Sequence, residues 1–263
     1  MAKTGKRLVL TVLIASLTLA LASCARTTTP ATEDSVYSPA LTESVAATAA
    51  LATKSTPSTE ASPVPKLEAP AEKSPTPEPL VIDGFVKVTD IDSSIVIDLR
   101  YATTENFTGQ KVYPTDTCVL RLATAEKLAA ANAEVARLGY RIKVWDAYRP
   151  VSVQKIFWSI YPDSRYVANP STGGSVHNRG CAVDVTLMDL NGDELVMPSA
   201  FDDFSNKASP SNPSMSAEAR ADLDVLRKAM IGAGFNASTS EWWHFSDSNW
   251  RQFPVAEVDL SLF

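Results

Sequence analysis

The sequence predicts an α+β fold with a single domain, in which an antiparallel or mixed central sheet is flanked by helices. Segments with the two-residue alternation of strands and segments with helical spacing both occur, but they do not alternate strictly as in parallel α/β folds. All five tryptophans and all nine phenylalanines lie beyond residue 80. The hydrophobic core therefore belongs to residues 80–263, which are sufficient for one domain.

The first residues of the chain have the pattern of a targeting segment. Basic residues within the first seven positions precede an apolar run over 8–22, which is shorter than the ~20 residues of a membrane-spanning helix. The run ends in Leu-Ala-Ser-Cys24, which resembles the lipobox of bacterial lipoproteins. We expect residues 1–23 to be a lipoprotein signal peptide and Cys24 to carry the lipid. The protein would then be extracytoplasmic and anchored to a membrane, in the periplasm or at the cell surface.

Residues 24–79 have the composition of a linker. Alanine, threonine, serine, proline and glutamate dominate this stretch, and it contains neither tryptophan nor phenylalanine. Such a segment cannot bury enough apolar surface to offset the entropy lost on ordering. We expect a disordered tether that holds the domain 80–263 away from the membrane.

The charge distribution excludes one class of partner. The formal net charge is −6, and no basic cluster occurs outside the signal segment. A nucleic-acid-binding protein needs a basic surface, so no nucleic-acid partner is expected. The sequence gives no indication of the oligomeric state.

Two cysteines remain after Cys24 is assigned to lipid. Cys118 and Cys181 would lie in a compartment where disulfides persist, so a bridge between them is one interpretation. Two buried free thiols are the other, because spacing in the sequence does not give the distance between the two residues.

The first half of the domain contains two predicted strand–helix pairs. Apolar residues alternate in the first strand, and the first helix is rich in alanine and stops at a glycine. Pro150 favours the start of the second helix. The predicted elements are a strand over 95–100, a helix from about 123 to 138, a strand over 141–145 and a helix over 151–160.

The second half of the domain adds a central strand, a long helix and a final strand. The central strand, over 181–188, follows a loop that contains Gly173 and Gly174. The helix, over about 216–230, is closed by Gly232 and Gly234. The final strand covers 241–245.

Only two histidines occur in the chain, and each lies in a short motif with an acidic residue. Two imidazoles and one carboxylate, with a fourth position open to water, are the donors of a catalytic zinc site. His177, Asp184 and His244 can therefore hold one zinc ion per chain. Glu241 is then free to accept a proton from the attacking water. Arg149, at a strand-to-helix corner, can stabilise the oxyanion.

Glu241 and His244 set a geometric condition for this site. On a regular strand, residues three apart point to opposite faces of the sheet, so the two side chains could not reach one zinc ion. A turn or a β-bulge must bring them together, and the sequence leaves both open.

Several motifs, in this order along residues 86–245, resemble those of the D-alanyl-D-alanine dipeptidases, the vancomycin-resistance type of zinc dipeptidase. The resemblance implies hydrolysis of the dipeptide D-Ala-D-Ala to D-alanine. It also implies that zinc ligation falls on His177, Asp184 and His244, that Glu241 is the base and that Arg149 stabilises the transition state. The motifs are Asp98-Leu-Arg-Tyr-Ala-Thr103, Asn106-Phe-Thr-Gly109, Trp145-Asp-Ala-Tyr-Arg-Pro150, Ser175-x-His177-x6-Asp184 and Glu241-x-x-His244.

The resemblance also suggests residues that bind the substrate. Asp202 and Asp203 lie in the region where the family places an acidic group for the substrate ammonium, and Asp202 is the favoured candidate. Ser175 could bond the same end. Asp146 is a candidate to orient Arg149. Tyr148 and Trp242 are expected to form walls of the pocket.

Three other functions fit parts of the pattern. A D,D-carboxypeptidase would use the same chemistry on peptidoglycan stem peptides and would need an open groove on the N-terminal side of the scissile bond. A non-catalytic, zinc-stabilised binding module would not need Glu241 and Arg149. A non-haem iron oxygenase also uses two histidines and a carboxylate, but it needs no glutamate beside the second histidine.

Overall fold

The computed structural model of the chain describes residues 78–263. The predicted signal peptide, the predicted lipidation site Cys24 and nearly all of the predicted linker lie outside the described residues. In the described part, no helix combines the length and the apolar character that a membrane crossing requires.

The domain contains a five-stranded mixed sheet and a separate two-stranded antiparallel sheet, which confirms the predicted fold class. The strands are β1 (Phe85–Lys87), β2 (Val96–Ile97), β3 (Val119–Arg121), β4 (Tyr140–Asp146), β5 (Ala182–Asp189), β6 (Phe235–Ala237) and β7 (His244–Asp247). The larger sheet has the order β2-β4-β5-β7-β6, in which only β2 and β4 are parallel, and the smaller one joins β1 and β3.

Three helices follow the sequence pattern closely. The helix α3 (Val151–Ile160) has the predicted bounds and begins directly after Pro150, whose fixed φ suits this position. The helix α4 (Ala217–Gly232) begins after Ser216, whose side-chain oxygen accepts a hydrogen bond from Ala219 N at 3.0 Å. The helices are α1 (Val88–Ile91), α2 (Leu122–Ala136), α3 (Val151–Ile160) and α4 (Ala217–Gly232).

The two faces of β5 have different roles. Val183, Val185 and Leu187 are fully buried in the main core, together with residues of α2 and α4 such as Leu128 and Leu226. Side chains alternate along a strand, so Asp184 and Thr186 point to the opposite face. That face carries the candidate site.

A β-bulge in β4 adjusts the register beside the site. Val144 pairs with Val185, but the next pair is Asp146 with Asp184, which leaves Trp145 as the extra residue. Bulges occur beside active sites because they change the direction of side chains and end regular pairing. Here the bulge places Asp146 opposite Asp184.

Some elements differ from their prediction. The strand expected over 95–100 is reduced to β2, and a short 3-10 helix begins at Arg100. The final strand begins at His244 rather than at Glu241, because residues 241–243 form a turn. β1, β3 and β6 were not predicted; three residues are too few to show an alternating pattern.

The structure contains no bridge between Cys118 and Cys181. The second interpretation, two buried free thiols, therefore applies. The two residues have different neighbours: Asp146 influences Cys118, whereas Thr124 and Asp247 influence Cys181. Burial raises the pKa of both thiols, that of Cys181 to about 11. Both are therefore poor nucleophiles near neutral pH.

Candidate active site

Three side chains converge on one point of the sheet face. One donor atom each of His177, Asp184 and His244 lies within 4.8 Å of the other two. His177 Nε2 is 3.2 Å from His244 Nδ1 and 3.3 Å from Asp184 Oδ1, and the last two atoms are 2.9 Å apart. Asp184 and His244 lie on paired strands, whereas His177 begins a 3-10 helix that precedes β5.

Hydrogen bonds fix the orientation of both imidazole rings. His177 Nδ1 lies 2.7 Å from the Ala147 carbonyl oxygen, which can only accept, so this nitrogen carries the proton and Nε2 presents a lone pair to the cluster. His244 Nε2 lies 3.0 Å from Ser246 Oγ, which leaves Nδ1 for the cluster. Partners of this kind are typical of metal-ligating histidines.

The donor set fits zinc. Ligand atoms at about 2.0–2.1 Å from a tetrahedral ion are about 3.3 Å apart, close to the three distances in this cluster. Burial by itself would raise the pKa of Asp184, but the neighbouring histidines His177 and His244 hold it well below its usual range. The carboxylate is therefore charged, as a metal ligand must be.

Glu241 reaches the site through a turn, one of the two solutions that the sequence left open. His244 N donates a hydrogen bond to Glu241 O at 3.3 Å, and both side chains line the same cavity. Burial raises the pKa of Glu241 to about 7; Asp184 and Asp202 act in the same direction and His244 opposes them. A carboxylate with this pKa suits a general base near neutral pH.

Arg149 is buried and held rigidly beside the cluster. Its Nε and Nη2 donate to the same oxygen of Asp146, at 3.0 and 2.5 Å, and its Nη1 donates to Gln154 at 2.9 Å. Burial disfavours the charged guanidinium, but Asp146 and Tyr113 raise its pKa well above the usual value. Asp146 therefore contacts the guanidinium that the sequence analysis expects it to orient.

A single cavity of about 250 Å3 is lined by the three cluster residues, by Glu241 and by Arg149. This volume lies below the roughly 300–1,000 Å3 of sites for drug-sized ligands, and it suits a small peptide. Ser175 and Asp202 also line it, so both predicted substrate-binding residues are in reach of a ligand. Other lining residues include Tyr101, Phe107, Phe157, Tyr166, Val176, Phe204 and Trp243.

Asp202 is held in an unusual environment. Its φ of +57° lies in the left-handed region, and the Tyr101 hydroxyl donates to its two carboxylate oxygens at 3.0 and 3.1 Å. Burial raises its pKa to about 7, the Tyr101 hydrogen bond lowers it, and the charge of Asp184 adds to the rise. The positive φ of a residue other than glycine is a local strain of the kind that occurs at binding sites.

Tyr148 and Trp242, the two predicted pocket walls, both lie elsewhere. The Tyr148 ring packs on Phe85 in a small separate cluster, and its hydroxyl bonds the C-terminal segment at Ala256 and Val258. Tyr148 is therefore not a wall of the pocket. Trp242 is fully buried and lines a neighbouring cavity rather than the one that holds the cluster.

The sequence reasoning missed several residues that support the site. Tyr101 was part of a quoted motif, but nothing in the motif showed that its hydroxyl would bond Asp202. Ser246 could have been found, since residues two apart on a strand share a face with each other, as Ser246 does with His244. Asn178 donates to the carbonyl of Arg149 at 2.7 Å and links the arginine corner to the turn of His177.

Comparisons with known proteins point in one direction. Residues 82–256 match the model of a peptidase family, M15, described as D-Ala-D-Ala dipeptidase. A D-alanyl-D-alanine dipeptidase of Escherichia coli K12 is 33% identical over 179 residues, which cover 68% of this chain and 92% of that protein. Proteins of the same name from Enterococcus faecium and Streptomyces coelicolor are 32% and 31% identical, over 62% and 65% of this chain and 90% and 98% of their own length.

Proposed function

Because the chain belongs to the D-Ala-D-Ala dipeptidases of peptidase family M15, we propose that it uses one zinc ion to hydrolyse D-Ala-D-Ala to two molecules of D-alanine. The observation that carries the proposal is the convergence of a metal-ligand set, a base and a buried cation in one small cavity. Water adds across the amide, and each half leaves as a free amino acid.

His177, Asp184 and His244 would hold the ion. When bound, zinc lowers the pKa of a water molecule to about 7 and polarises the scissile carbonyl. The carbonyl of Ala147 and the hydroxyl of Ser246 keep the two imidazole rings in position, so the ligands need no rearrangement.

Glu241 moves the proton. Its carboxylate accepts a proton from the attacking water and then delivers it to the nitrogen of the departing D-alanine. Burial raises the pKa of Glu241 to about 7, so the group can act as a base and then as an acid near neutral pH. Its position on the turn before His244 supports this role.

Arg149 stabilises the negative charge that develops on the carbonyl oxygen. The residue lines the cavity, and Nη2 lies 3.9 Å from Asp184 Oδ2. Because Asp146 and Gln154 already hold the guanidinium, no reorganisation is needed as the charge develops.

Asp202 and Ser175 bind the N-terminal end of the substrate. A carboxylate in a buried site accepts hydrogen bonds from a free ammonium group, and Asp202 is the acidic residue of the cavity that has neither a metal-binding nor a proton-transfer role. Ser175 Oγ, which accepts from His177 N at 3.2 Å, lies next to the first ligand.

The presence of Glu241 and Arg149 in the cavity favours hydrolysis over the other two classes. A zinc-stabilised binding module needs neither a buried base nor a cation. An oxygenase with two histidines and a carboxylate needs no proton acceptor beside its second histidine.

The test of this function is a metal analysis combined with an assay. We expect purified protein to contain one zinc ion per chain and to release two equivalents of D-alanine from D-Ala-D-Ala. A chelator should remove the activity and added zinc should restore it. Zinc-loaded protein that leaves D-Ala-D-Ala intact would refute the proposal.

We also propose that the enzyme is a lipoprotein, attached through Cys24 and facing the periplasm or the cell exterior. The support is the Leu-Ala-Ser-Cys24 motif after an apolar run. In cells given a labelled fatty acid, the wild type should incorporate the label and fractionate with membranes. Cys24→Ala should lose the label, and equal labelling of both forms would contradict the proposal.

A further inference from the structure

Asn178 is a fully buried polar residue that directly follows the proposed ligand His177, and its side chain joins two other residues of the site. Asn178 Nδ2 donates to the carbonyl oxygen of Arg149 at 2.7 Å, and Asn178 Oδ1 accepts from the backbone N–H of Ser175 at 2.7 Å. A carbonyl only accepts and an N–H only donates, so these two partners determine the orientation of the amide. Both ends of the amide are therefore bonded to main-chain groups of the site.

The backbone of Arg149 is attached to the turn of His177 on both sides of its Cα atom. Arg149 N donates to His177 O at 3.2 Å, and Arg149 O accepts the bond from Asn178. These two bonds fix the distance between the metal ligand His177 and the Cα atom from which the guanidinium side chain extends. The other partners of the guanidinium, Asp146 and Gln154, lie within five residues of Arg149 in the chain.

Asn178 is itself held closely by its neighbours. A Cβ added at Gly174, whose φ is +68°, would lie 2.7 Å from Asn178 Oδ1, so the amide lies directly against the backbone of this glycine. Ala256 N donates to Asn178 O at 3.0 Å and attaches the C-terminal segment to the same turn. The position of the amide is therefore fixed independently of Arg149.

We propose that Asn178 is a positioning residue that holds Arg149 at the distance from the metal cluster that stabilisation of the oxyanion requires. The inference rests on the proposed function, in which Arg149 meets the charge that develops on the scissile carbonyl. Such a donor acts because it is in place before the reaction, and a displacement of about 1 Å can lower the rate by about 10²-fold. Asn178 does not line the active-site cavity, so its effect passes through Arg149 and Ser175.

The experiment measures hydrolysis of D-Ala-D-Ala by the full-length, zinc-loaded protein with two substitutions of Asn178. Asn178→Asp keeps an acceptor for the Ser175 N–H but loses the donor to the Arg149 carbonyl, whereas Asn178→Ala loses both. We expect kcat to fall by about 10–100-fold in both variants, because Arg149 is displaced in both. KM should rise more in Asn178→Ala, because Ser175 is released as well.

Asn132→Ala is the matched control for a purely structural effect. Asn132 is 1% exposed and has the same pair of bonds outside the site: its Oδ1 accepts from Ile142 N at 2.9 Å, and its Nδ2 donates to Asp92 at 2.8 Å. Asn132→Ala should lower the melting temperature as Asn178→Ala does, but it should keep the kcat of the wild type. An equal loss of kcat in the two alanine variants would reduce Asn178 to a general stabilising role and overturn the inference.

A double-mutant cycle tests whether Asn178 acts through Arg149. In the variant with both Asn178→Asp and Arg149→Lys, kcat should be about that of Arg149→Lys alone, because the displaced lysine no longer depends on the backbone position. Losses that multiply, or normal kcat in both Asn178 variants, would overturn the inference. Competition with a chelator should show unchanged zinc affinity in Asn178→Asp, and a large loss would assign Asn178 to the metal ligand instead. If the wild type does not cleave D-Ala-D-Ala, the proposed function itself fails.

Discussion

Asp184 and His244 are direct cross-strand partners on the antiparallel strands β5 and β7, and Asp184 Oδ1 lies 2.9 Å from His244 Nδ1. Two of the three proposed zinc ligands are therefore fixed by backbone pairing in the middle of the sheet. His177 completes the set from a tight turn, whose end at Gly180 has a φ of +70°. A Cβ added at Gly180 would lie 2.2 Å from an atom of the Phe85 ring, so the turn depends on glycine here.

Loss of a ligand residue should abolish zinc binding. Loss of a residue that holds a ligand in position should lower the affinity for zinc. We expect His177→Ala or His244→Ala to abolish zinc binding at low free zinc. Ser246→Ala keeps all three ligands but loses the contact with His244 Nε2, so zinc affinity should fall by about 10–100-fold. Competition with a chromophoric chelator measures these affinities. Full zinc occupancy in the alanine variants of the histidines would disprove the ligand assignment.

Glu241→Gln should separate metal binding from chemistry. The amide is nearly isosteric but cannot accept the proton of the attacking water, so kcat should fall by about 10²–10⁴-fold. Zinc content should stay at one ion per chain. Glu218→Gln, an acidic residue in the first turn of α4, is the matched control and should keep normal turnover. Near-normal kcat in Glu241→Gln would remove this residue from its role.

Local patterns predicted the long elements and the donor set of the site. α3 has the predicted bounds because Pro150 and the apolar spacing act over neighbouring residues. The two histidines are rare and each lies near an acidic residue, so their convergence could be inferred without the fold. The roles of Glu241 and Arg149 stay predictions, but both side chains do line the cavity.

What the sequence could not give depends on contacts between distant segments. Tyr148 lies in the same motif as Arg149, yet its ring faces the C-terminal segment, about 110 residues away. The neighbouring cavity that Trp242 lines is formed by residues from β4, β5 and the loop around Phe201, which the sheet order and the bulge at Trp145 bring together. No motif marks such a cavity.

Arg149→Lys should test whether the guanidinium itself is required. Lysine keeps the charge but cannot donate from two nitrogens to Asp146 and from a third to Gln154, so the cation would be displaced. We expect kcat to fall by about 10²–10³-fold. Arg165→Lys, at an exposed pair with Asp163, is the control and should be unaffected. Equal activity of the two variants would exclude Arg149 from transition-state stabilisation.

Asp247 allows a test of stability at a residue that does not line the active-site cavity. Its side chain is 1% exposed and accepts hydrogen bonds from the Thr124 hydroxyl, the Asn249 backbone N–H and Lys127. Lys127→Met leaves the carboxylate buried without a cation, so the free energy of unfolding should fall by about 3–5 kcal/mol. Arg137→Met, which breaks an exposed pair with Glu134, should change it by no more than about 1 kcal/mol. Urea unfolding measures the free energy of unfolding of both variants, and equal losses would contradict the prediction.

The raised pKa of Asp202 predicts that the affinity for the substrate depends on pH. Burial raises the pKa of this carboxyl to about 7, so the charged form is present above that pH and is lost as the pH falls through it. Only the charged form attracts the ammonium of D-Ala-D-Ala strongly, so KM should rise as the pH falls from about 8 to about 6. Asp202→Asn should raise KM by about 10–100-fold at the higher pH, because a charge-assisted hydrogen bond is lost, and should change kcat less. Its KM should also vary less with pH than that of the wild type, and a variant with the wild-type KM profile would assign ammonium binding to another group.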